Sequence, residues 1–291
     1  MGNRNAFSPL LWPERPAGGH ILSANVQGFA MIDVNSIRKR CVDIVLQSGE
    51  IVREHWFQPS NVRHKGSIDL VTQTDLAVEN FLKEKLADLV PGACFLAEES
   101  SQEDSAPKDT CWIIDPVDGT TNLVHRIPQV GTSVALWHQG RVELGVVNVP
   151  MLRRCYWAAR GYGAFCNDSR IAVSGVDSLG DALVGTGFPY DIAARLPEVM
   201  ERLALVLPIA QGVRRIGAAS IDLAYVACGK LDIFYEAGLK PWDYAAGMLL
   251  VEEAGGRVSN LNGDPLQFGE PLLASNGRLH ALAVDLLSST N

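Results

Sequence analysis

Apolar side chains recur at helical spacing after Asn35, which predicts an amphipathic helix from this N-cap residue to about Trp56. A second helix is predicted to begin near Asp75 and to stop at Pro91, which is followed by glycine. Residues 1–30 carry prolines and glycines without apolar periodicity. We interpret them as a flexible leader or an upstream start and leave them out of the predicted fold.

Two short apolar runs, at 93–97 and 111–114, each lead directly into acidic residues. They predict buried strands that carry carboxylates at their C-terminal ends. The stretches 132–149 and 155–166 contain apolar and polar residues in alternation, interrupted by glycines. This pattern predicts antiparallel strands in both stretches.

The second half of the chain mixes helical and strand patterns. It predicts a strand at 231–235 and helices at 221–227 and 244–254. Together the elements predict a layered α+β / α/β architecture. We divide it into an N-terminal α+β subdomain at 31–175 and a C-terminal α/β subdomain at 176–291.

Composition narrows the class of protein. A chain of 291 residues with 47% hydrophobic content can bury a large core. Its net charge of -8 argues against an extended electrostatic contact with nucleic acid. We therefore do not expect nucleic acid as a partner. We expect no membrane association, since no segment approaches the roughly 20 apolar residues of a span. The six cysteines lack C-x-x-C spacing and are expected to be buried free thiols in a cytoplasmic protein.

The most specific polar segment is W-I-I-D-P-V-D-G-T-T-N at 112–122. It places Asp115 and Asp118 close together where an apolar strand is predicted to end. Two carboxylates at this separation repel each other unless a proton or a cation compensates, and their oxygens suit Mg²⁺. When the segment is considered alone, a solvated acidic turn that caps a helix is the alternative.

The residues around these acids favour a binding turn. Pro116 restricts the backbone and Gly119 permits a tight turn, so both carboxylates and the Val117 carbonyl can converge. A helix that opens at Thr120 would direct free N–H groups at a phosphate. The chain has no G-x-S-x-G element and no P-loop, so we expect hydrolysis without a serine nucleophile or a nucleotide.

Three further acids are ambiguous when each is considered alone. Glu98 follows the run at 93–97, where a surface turn is an alternative. Asp243 follows Pro241 and Trp242, where an N-cap or first-turn acid is common. Asp75 lies at a predicted helix start, where capping alone explains it.

In this order the segments resemble the inositol monophosphatase family, a branch of the lithium-sensitive, metal-dependent sugar phosphatases. The resemblance extends from about Asn35 to the C-terminus. It is most specific at 112–125 and at P-W-D-Y-A-A-G-M-L-L-V-E-E-A-G-G, residues 241–256. It implies an αβαβα sandwich, a homodimer, and hydrolysis of a small phosphate monoester by water that Mg²⁺ activates.

The resemblance also implies roles for individual residues. The ligands of two to three Mg²⁺ ions are Glu98, Asp115 as the bridging ligand, the Val117 carbonyl, Asp118 and Asp243. The residues with catalytic roles are Glu98, Thr120, Asp75 and Lys65, with a third, weaker ion near Glu98 and Asp75. The substrate-binding residues are Asp118, Gly119, Thr120, Ala219 and Glu236. For the last two there are simpler interpretations, a helix-start residue and a solvated strand-end acid.

The substrate is left open by these observations. Inositol monophosphate is the primary expectation, and the alternatives are fructose 1,6-bisphosphate, histidinol phosphate, NADP and adenosine 3',5'-bisphosphate. Arg214 and Arg215 can bind a second phosphate or form surface ion pairs. A transcription-associated binding protein with residual phosphatase activity is a further alternative. Ala97 lies where the family usually has glycine. This difference could change the local turn, so the geometry of Glu98 has to be checked in the structure.

Overall fold

Residues 32–57, 63–64, 70–101 and 107–288 are described by the computed structural model of the chain. The helices are α1 (Val34–His55), α2 (Gln73–Ala87), α3 (Thr120–Val124), α4 (Ile192–Val206), α5 (Ala219–Ala227), α6 (Pro241–Glu253) and α7 (His280–Leu287). The strands are β1 (Arg63–His64), β2 (Leu70–Val71), β3 (Cys94–Ala97), β4 (Thr110–Asp118), β5 (Gly131–His138), β6 (Arg141–Val149), β7 (Arg154–Ala159), β8 (Gly163–Cys166), β9 (Ser169–Ile171), β10 (Leu183–Thr186), β11 (Gly212–Arg214), β12 (Ile233–Glu236), β13 (Arg257–Asn260) and β14 (Leu272–Ser275).

The two predicted N-terminal helices are present with small shifts. α1 begins before Asn35 because Asp33 is the N-cap, and its carboxylate accepts the Asn35 N–H at 3.0 Å. α2 begins after Thr72, which forms a capping box with Asp75. The predicted leader at 1–30 lies outside the described residues.

A seven-stranded sheet has the order β3-β4-β5-β6-β7-β8-β9. β3 and β4 are parallel, and the following neighbours are antiparallel, which confirms the predicted strands of this half. The predicted strand end at Ile114 is wrong, because β4 continues to Asp118. An irregularity between Asp115 and Asp118 lets the strand stay paired with β5 beyond the first acid.

A second sheet of five strands has the order β11-β10-β12-β14-β13. α1 and α2 pack on the seven-stranded sheet, while α5 and α6 contact both sheets. α7 packs on β14 and contacts α4. The order of layers is therefore helix, sheet, helix, sheet, helix, which confirms the predicted sandwich.

The main core lies between the two sheets and is filled by α5 and α6. Ile221, Leu223, Phe234 and Tyr244 are among its largest fully buried side chains. Because α6 is covered by a sheet on each side, most of its residues are apolar and buried. The first turn of α6, which carries Asp243, is thereby held at the edge of the buried layer.

The two sheets are built from different parts of the chain. The seven-stranded sheet uses residues within 31–175, and the five-stranded sheet uses residues within 176–291. Residues 33–291 form one compact unit in which α5 and α6 contact both sheets. The division into two subdomains stays a prediction.

The cysteines differ in part from expectation. Cys94 and Cys111 face each other on β3 and β4 and form a disulfide with a Cα–Cα distance of 4.4 Å. The expectation of free thiols is wrong for this pair, because strand pairing brings together two residues that are remote in sequence. The free thiols are Cys41 and Cys155, which are buried, and Cys166 and Cys228, which are half-buried. None of the described helices has the length and apolar character needed to cross a membrane.

A buried histidine makes the fold sensitive to acid. His280 is 1% exposed, and its two ring nitrogens lie 2.9 Å from the hydroxyls of Ser259 and Ser275. Burial, with a smaller effect of Arg257, lowers the pKa of His280 from 6.5 to about 4. The folded state therefore favours the neutral ring, and protonation favours the unfolded state.

We expect the stabilisation by neutral His280 to be lost as pH falls from about 6.5 to about 4. Between pH 7 and pH 4.5 the wild type should lose about 2 kcal/mol more unfolding free energy than His280→Gln. Urea unfolding at both pH values measures this difference. The exposed His125→Gln is the control variant, and equal pH slopes for wild type and His280→Gln would contradict the expectation.

Candidate metal and phosphate site

A cavity of about 140 Å³ lies where β3 and β4 end and where α3 and α6 begin. All residues predicted to bind metal line it, and they come from three separate segments of the chain. They are Glu98, Asp115, Val117, Asp118 and Asp243. Gly119 and Thr120 line the same cavity. The structure therefore brings these predicted site residues together, whereas Lys65 lies outside the described residues.

Parallel pairing of β3 and β4 brings the first two acids together. Ala97 pairs with Ile114, so Glu98 and Asp115 are the next residues on neighbouring strands. The Glu98 N–H continues the ladder by donating to the Ile114 carbonyl at 3.1 Å. Ala97 is fully buried and does not have a positive φ, so alanine fits here without strain. Glu98, and not Glu99, lines the cavity.

The irregularity in β4 explains how Asp115 and Asp118 reach one cavity. In a regular strand, residues three apart point to opposite faces of the sheet. Here the Val117 N–H donates to Asp115 Oδ1 at 3.0 Å, and the Thr132 hydroxyl donates to the Pro116 carbonyl at 3.0 Å. These bonds fix the extra backbone between the two acids, so both carboxylates line the same space.

Gly119 turns the chain from β4 into α3. It is the N-cap of α3 and has a φ of 89°, which favours glycine. A Cβ at this position would lie 2.9 Å from the Gln129 carbonyl oxygen. The site therefore needs glycine here for both conformation and space.

The Thr120 hydroxyl connects the cavity to Asp75. Its oxygen lies 3.2 Å from Asp75 Oδ1 and 3.0 Å from the Val117 carbonyl, and its single proton serves one acceptor at a time. Asp75 is fully buried, and its Oδ2 accepts the Thr72 N–H at 3.0 Å and hydroxyl at 2.5 Å. Asp75 thus caps α2 and supports Thr120 at the same time.

The two remaining carboxylates are oriented by helix starts. Asp243 lies in the first turn of α6, and its Oδ2 accepts the Lys240 N–H at 2.7 Å. Asp118 Oδ2 accepts the Ser220 N–H at 2.8 Å and the Ser220 hydroxyl at 2.5 Å. Each carboxylate is therefore held through at least one oxygen by the protein.

Burial and mutual repulsion disfavour the charged form of these acids. The pKa of Asp115 is raised well above its ordinary value by burial and by the charges of Glu98, Asp118 and Asp243. Burial, followed by the charge of Glu98, raises the pKa of Asp243 in the same way. Burial raises the pKa of Asp118 to about 6 despite the hydrogen bonds from Ser220. A cation in the cavity would offset this cost.

The donor set fits magnesium. Four carboxylates and one backbone carbonyl line the cavity, and Mg²⁺ prefers oxygen ligands of this kind. Among the described residues, no three His, Cys, Asp or Glu side chains already lie at the spacing of a closed metal cage. The fit therefore rests on donor chemistry and on the repulsion that a cation would relieve.

A wider cavity of about 340 Å³ shares Asp118, Gly119, Thr120 and Asp243 with the first. It extends toward α5 and the end of β12, where the two predicted substrate residues Ala219 and Glu236 line it. This arrangement leaves room for a small organic group next to the carboxylates.

The two substrate-side residues differ in their surroundings. Glu236 lies so close to Gly187 that a Cβ on that glycine would overlap its carboxylate. Burial raises the pKa of Glu236 to about 8, and the nearby Arg215 opposes this rise. The Ala219 N–H lies near Asp118 and, together with the bonds from Ser220, opposes the rise in the pKa of that carboxyl.

Two buried polar residues near the site, Ser220 and Asp222, have no role in the site that the sequence predicts. Ser220 binds Asp118 across 102 positions, a separation that no local pattern reveals. Asp222 is 1% exposed, and its Oδ1 has no hydrogen-bond partner within the described part of the chain. Burial and the charges of Glu236 and Asp118 raise the pKa of Asp222 well above its ordinary value.

The profile of the inositol monophosphatase family matches residues 33–290. The chain belongs to the inositol monophosphatase family. Membership of this family implies a phosphatase, which is a hydrolase.

Two curated relatives show the range of this family. The inositol-1-monophosphatase of Synechocystis is 37% identical over 92% of the chain and 94% of its own length. The Nus factor SuhB of Escherichia coli K12 is 37% identical over 75% of the chain and 82% of its own length.

Two solved structures of family members share the fold. The extragenic suppressor protein suhB of Bartonella henselae has a TM-score of 0.82 at 34% identity, over 88% of the chain and 100% of its own. An IMPase/NADP phosphatase, solved with Mg²⁺ and phosphate, has a TM-score of 0.77 at 26% identity, over 88% of the chain and 96% of its own.

Proposed function

We propose that the protein hydrolyses a small phosphate monoester in a Mg²⁺-dependent reaction. The observation that carries this proposal is the convergence of Glu98, Asp115, Asp118 and Asp243 on one cavity beside the Gly119 turn. The relative solved with Mg²⁺ and phosphate supports the same chemistry. The site would hold two to three ions, with Asp115 as the shared ligand.

When bound, Mg²⁺ supplies a nucleophilic water at neutral pH and compensates charge on the phosphoryl and leaving oxygens. The chain's own residues orient the reactants. When Thr120 Oγ1 donates its proton to Asp75 Oδ1, its lone pairs are free to accept a proton of the attacking water. Glu98 lines the same cavity and orients that water from β3. Lys65 keeps in this proposal the catalytic role that the family resemblance implies.

The phosphate is placed at the start of α3. The backbone N–H groups of Gly119 and Thr120 bind the phosphoryl oxygens in this proposal, and Asp118 lies beside them. The leaving group occupies the wider cavity, where Glu236 and the backbone of Ala219 contact its hydroxyls. Inositol 1-phosphate is the proposed substrate, supported by the names of the curated relatives.

A panel of phosphate monoesters tests this proposal. Inositol 1-phosphate, fructose 1,6-bisphosphate, histidinol phosphate, NADP and adenosine 3',5'-bisphosphate are each incubated with the full chain, with Mg²⁺ or with EDTA. We expect the fastest phosphate release from inositol 1-phosphate with Mg²⁺, and inhibition by Li⁺. Equal release with EDTA would contradict the proposed metal dependence.

One side chain favours a second class of substrate. The Arg215 guanidinium lies 5.6 Å from the Phe188 ring centroid and is the cation that lines the wider cavity. It forms no salt bridge with a carboxylate in the described residues. Arg214, in contrast, donates to the Val213 carbonyl at 3.0 Å. Arg215 is therefore placed to bind a second anionic group on a bisphosphate.

We expect Arg215→Ala to lower kcat/KM for fructose 1,6-bisphosphate about tenfold, because one charge-assisted hydrogen bond is lost. The kcat/KM for inositol 1-phosphate should change by less than about threefold. Steady-state kinetics with both esters measure the ratio, and Arg214→Ala is the matched control. An equal loss of kcat/KM for both esters would show that Arg215 does not bind a second phosphate.

A role in transcription is the candidate from another class. It is supported by the relative named Nus factor SuhB. Pull-down from a cell extract with wild type and with Asp115→Asn separates the two roles, since a binding role does not need the metal site. We also propose that the protein is a homodimer and that it is cytoplasmic. Light scattering of the purified chain would test the oligomeric state.

A further inference from the structure

Asp118 accepts two hydrogen bonds from the first turn of α5. Its Oδ2 accepts both the backbone N–H of Ser220, at 2.8 Å, and the Ser220 hydroxyl, at 2.5 Å. The Ala219 N–H also lies near this carboxylate and favours its charged form. A single carboxylate thus joins the end of β4 to the start of α5.

The Ser220 hydroxyl has no access to solvent. Ser220 is 0% exposed. Its hydroxyl lies against Gly131, where an added Cβ would be only 3.2 Å from the hydroxyl oxygen. A buried hydroxyl that donates to a carboxylate forms a charge-assisted hydrogen bond, which is stronger than a bond between neutral groups.

Asp118 needs such support because of its position in the chain. It lies at the end of an irregular strand and directly before Gly119, whose backbone is the least restricted of all residues. The two donors on one oxygen hold the carboxylate in one orientation. Partners that orient a ligand in this way are as much a part of a metal site as the ligands.

We propose that Ser220 is a positioning residue whose hydroxyl fixes the Asp118 carboxylate for binding of a divalent cation. The inference rests on the proposed function, since it concerns the same metal site. It assigns to Ser220 a contribution to cation affinity that the backbone of α5 alone does not provide. Ser220 touches Asp118, and its effect on the reaction is indirect.

Ser220→Ala removes the hydroxyl and keeps the backbone N–H, so it isolates the side-chain contribution. We expect the Kd for Mg²⁺, measured by calorimetric titration of the metal-free full chain, to rise about tenfold. At saturating Mg²⁺, kcat should stay within about threefold of wild type, because the ligand itself remains. A role limited to fold stability would lower the melting temperature without this shift in Kd.

Ser48→Ala is the matched control. Ser48 is also 0% exposed, and its hydroxyl donates to the Val45 carbonyl at 2.8 Å within α1. This variant loses a buried hydroxyl of the same kind and should keep the wild-type Kd for Mg²⁺. If Ser220→Ala does not fold, Ser220→Cys replaces the hydroxyl with a slightly larger thiol that is a weaker donor, and its Kd should also rise.

The outcomes separate this inference from the proposed function. If wild type binds Mg²⁺ and both Ser220 variants bind it with unchanged Kd, the positioning role is overturned while the metal site stands. If wild type itself shows no saturable Mg²⁺ binding, the proposed function fails and the inference fails with it. A raised Kd in the Ser220 variants alone supports the inference.

Discussion

Asp115→Asn should abolish Mg²⁺-dependent phosphate release and, in the same experiment, stabilise the metal-free protein. Asparagine keeps the shape of the side chain and removes the charge that the proposed ions share. We expect kcat/KM to fall by more than the roughly 10- to 100-fold typical of residues that only orient a ligand. The melting temperature should no longer rise when Mg²⁺ is added.

The stabilisation of metal-free Asp115→Asn follows from the raised pKa of Asp115. A carboxyl whose folded pKa lies above its unfolded value costs stability as pH rises through that interval. At pH 7 the variant is free of this cost, so its melting temperature in EDTA should exceed that of wild type. Asp109→Asn is the control, since Asp109 is exposed just before β4. Lower stability of Asp115→Asn in EDTA would contradict the electrostatic account.

Gly119→Ala should damage both the fold and the activity. Alanine in a left-handed conformation costs about 1–2 kcal/mol, and the added Cβ at Gly119 would meet the Gln129 carbonyl at 2.9 Å. Relief of that contact must move the turn that carries Asp118 and Thr120. We expect kcat/KM to fall at least about 100-fold, as for a catalytic group displaced by about 1 Å.

Gly140→Ala separates the two costs. Gly140 has a φ of 87° in the β5–β6 turn, and a Cβ there would have no atom within 4 Å. Gly140→Ala should therefore lose only the unfolding free energy that a positive φ costs alanine, and it should keep the wild-type activity. Urea unfolding and phosphate release are measured for both variants. Equal losses of unfolding free energy would show that the Gln129 contact has no effect.

The local pattern of apolar residues was sufficient to predict the strand that carries Asp115 and the strand beside it. A short apolar run followed by acids predicted both β3 and the first half of β4, because buried strands need contiguous apolar residues. The continuation of β4 to Asp118 was not predicted. It depends on an irregular pairing with β5, and pairing between strands is set by the tertiary structure.

The rest of the site depended on order along the chain and on long-range contacts. Glu98 and Asp243 were ambiguous alone, and only their order beside the 112–122 segment suggested a shared site. The contact of Ser220 with Asp118 and the pairing of Cys94 with Cys111 join residues remote in sequence. No periodicity encodes such contacts, so the structure was needed to find them.

The central claim is that this cavity hydrolyses a phosphate monoester only with a divalent cation. The most direct test is phosphate release from inositol 1-phosphate by EDTA-treated full chain as Mg²⁺ is added back. We predict no release above background in EDTA, saturable recovery with Mg²⁺, and no recovery in Asp115→Asn. Release in EDTA at the rate seen with Mg²⁺, or full recovery in Asp115→Asn, would contradict the claim.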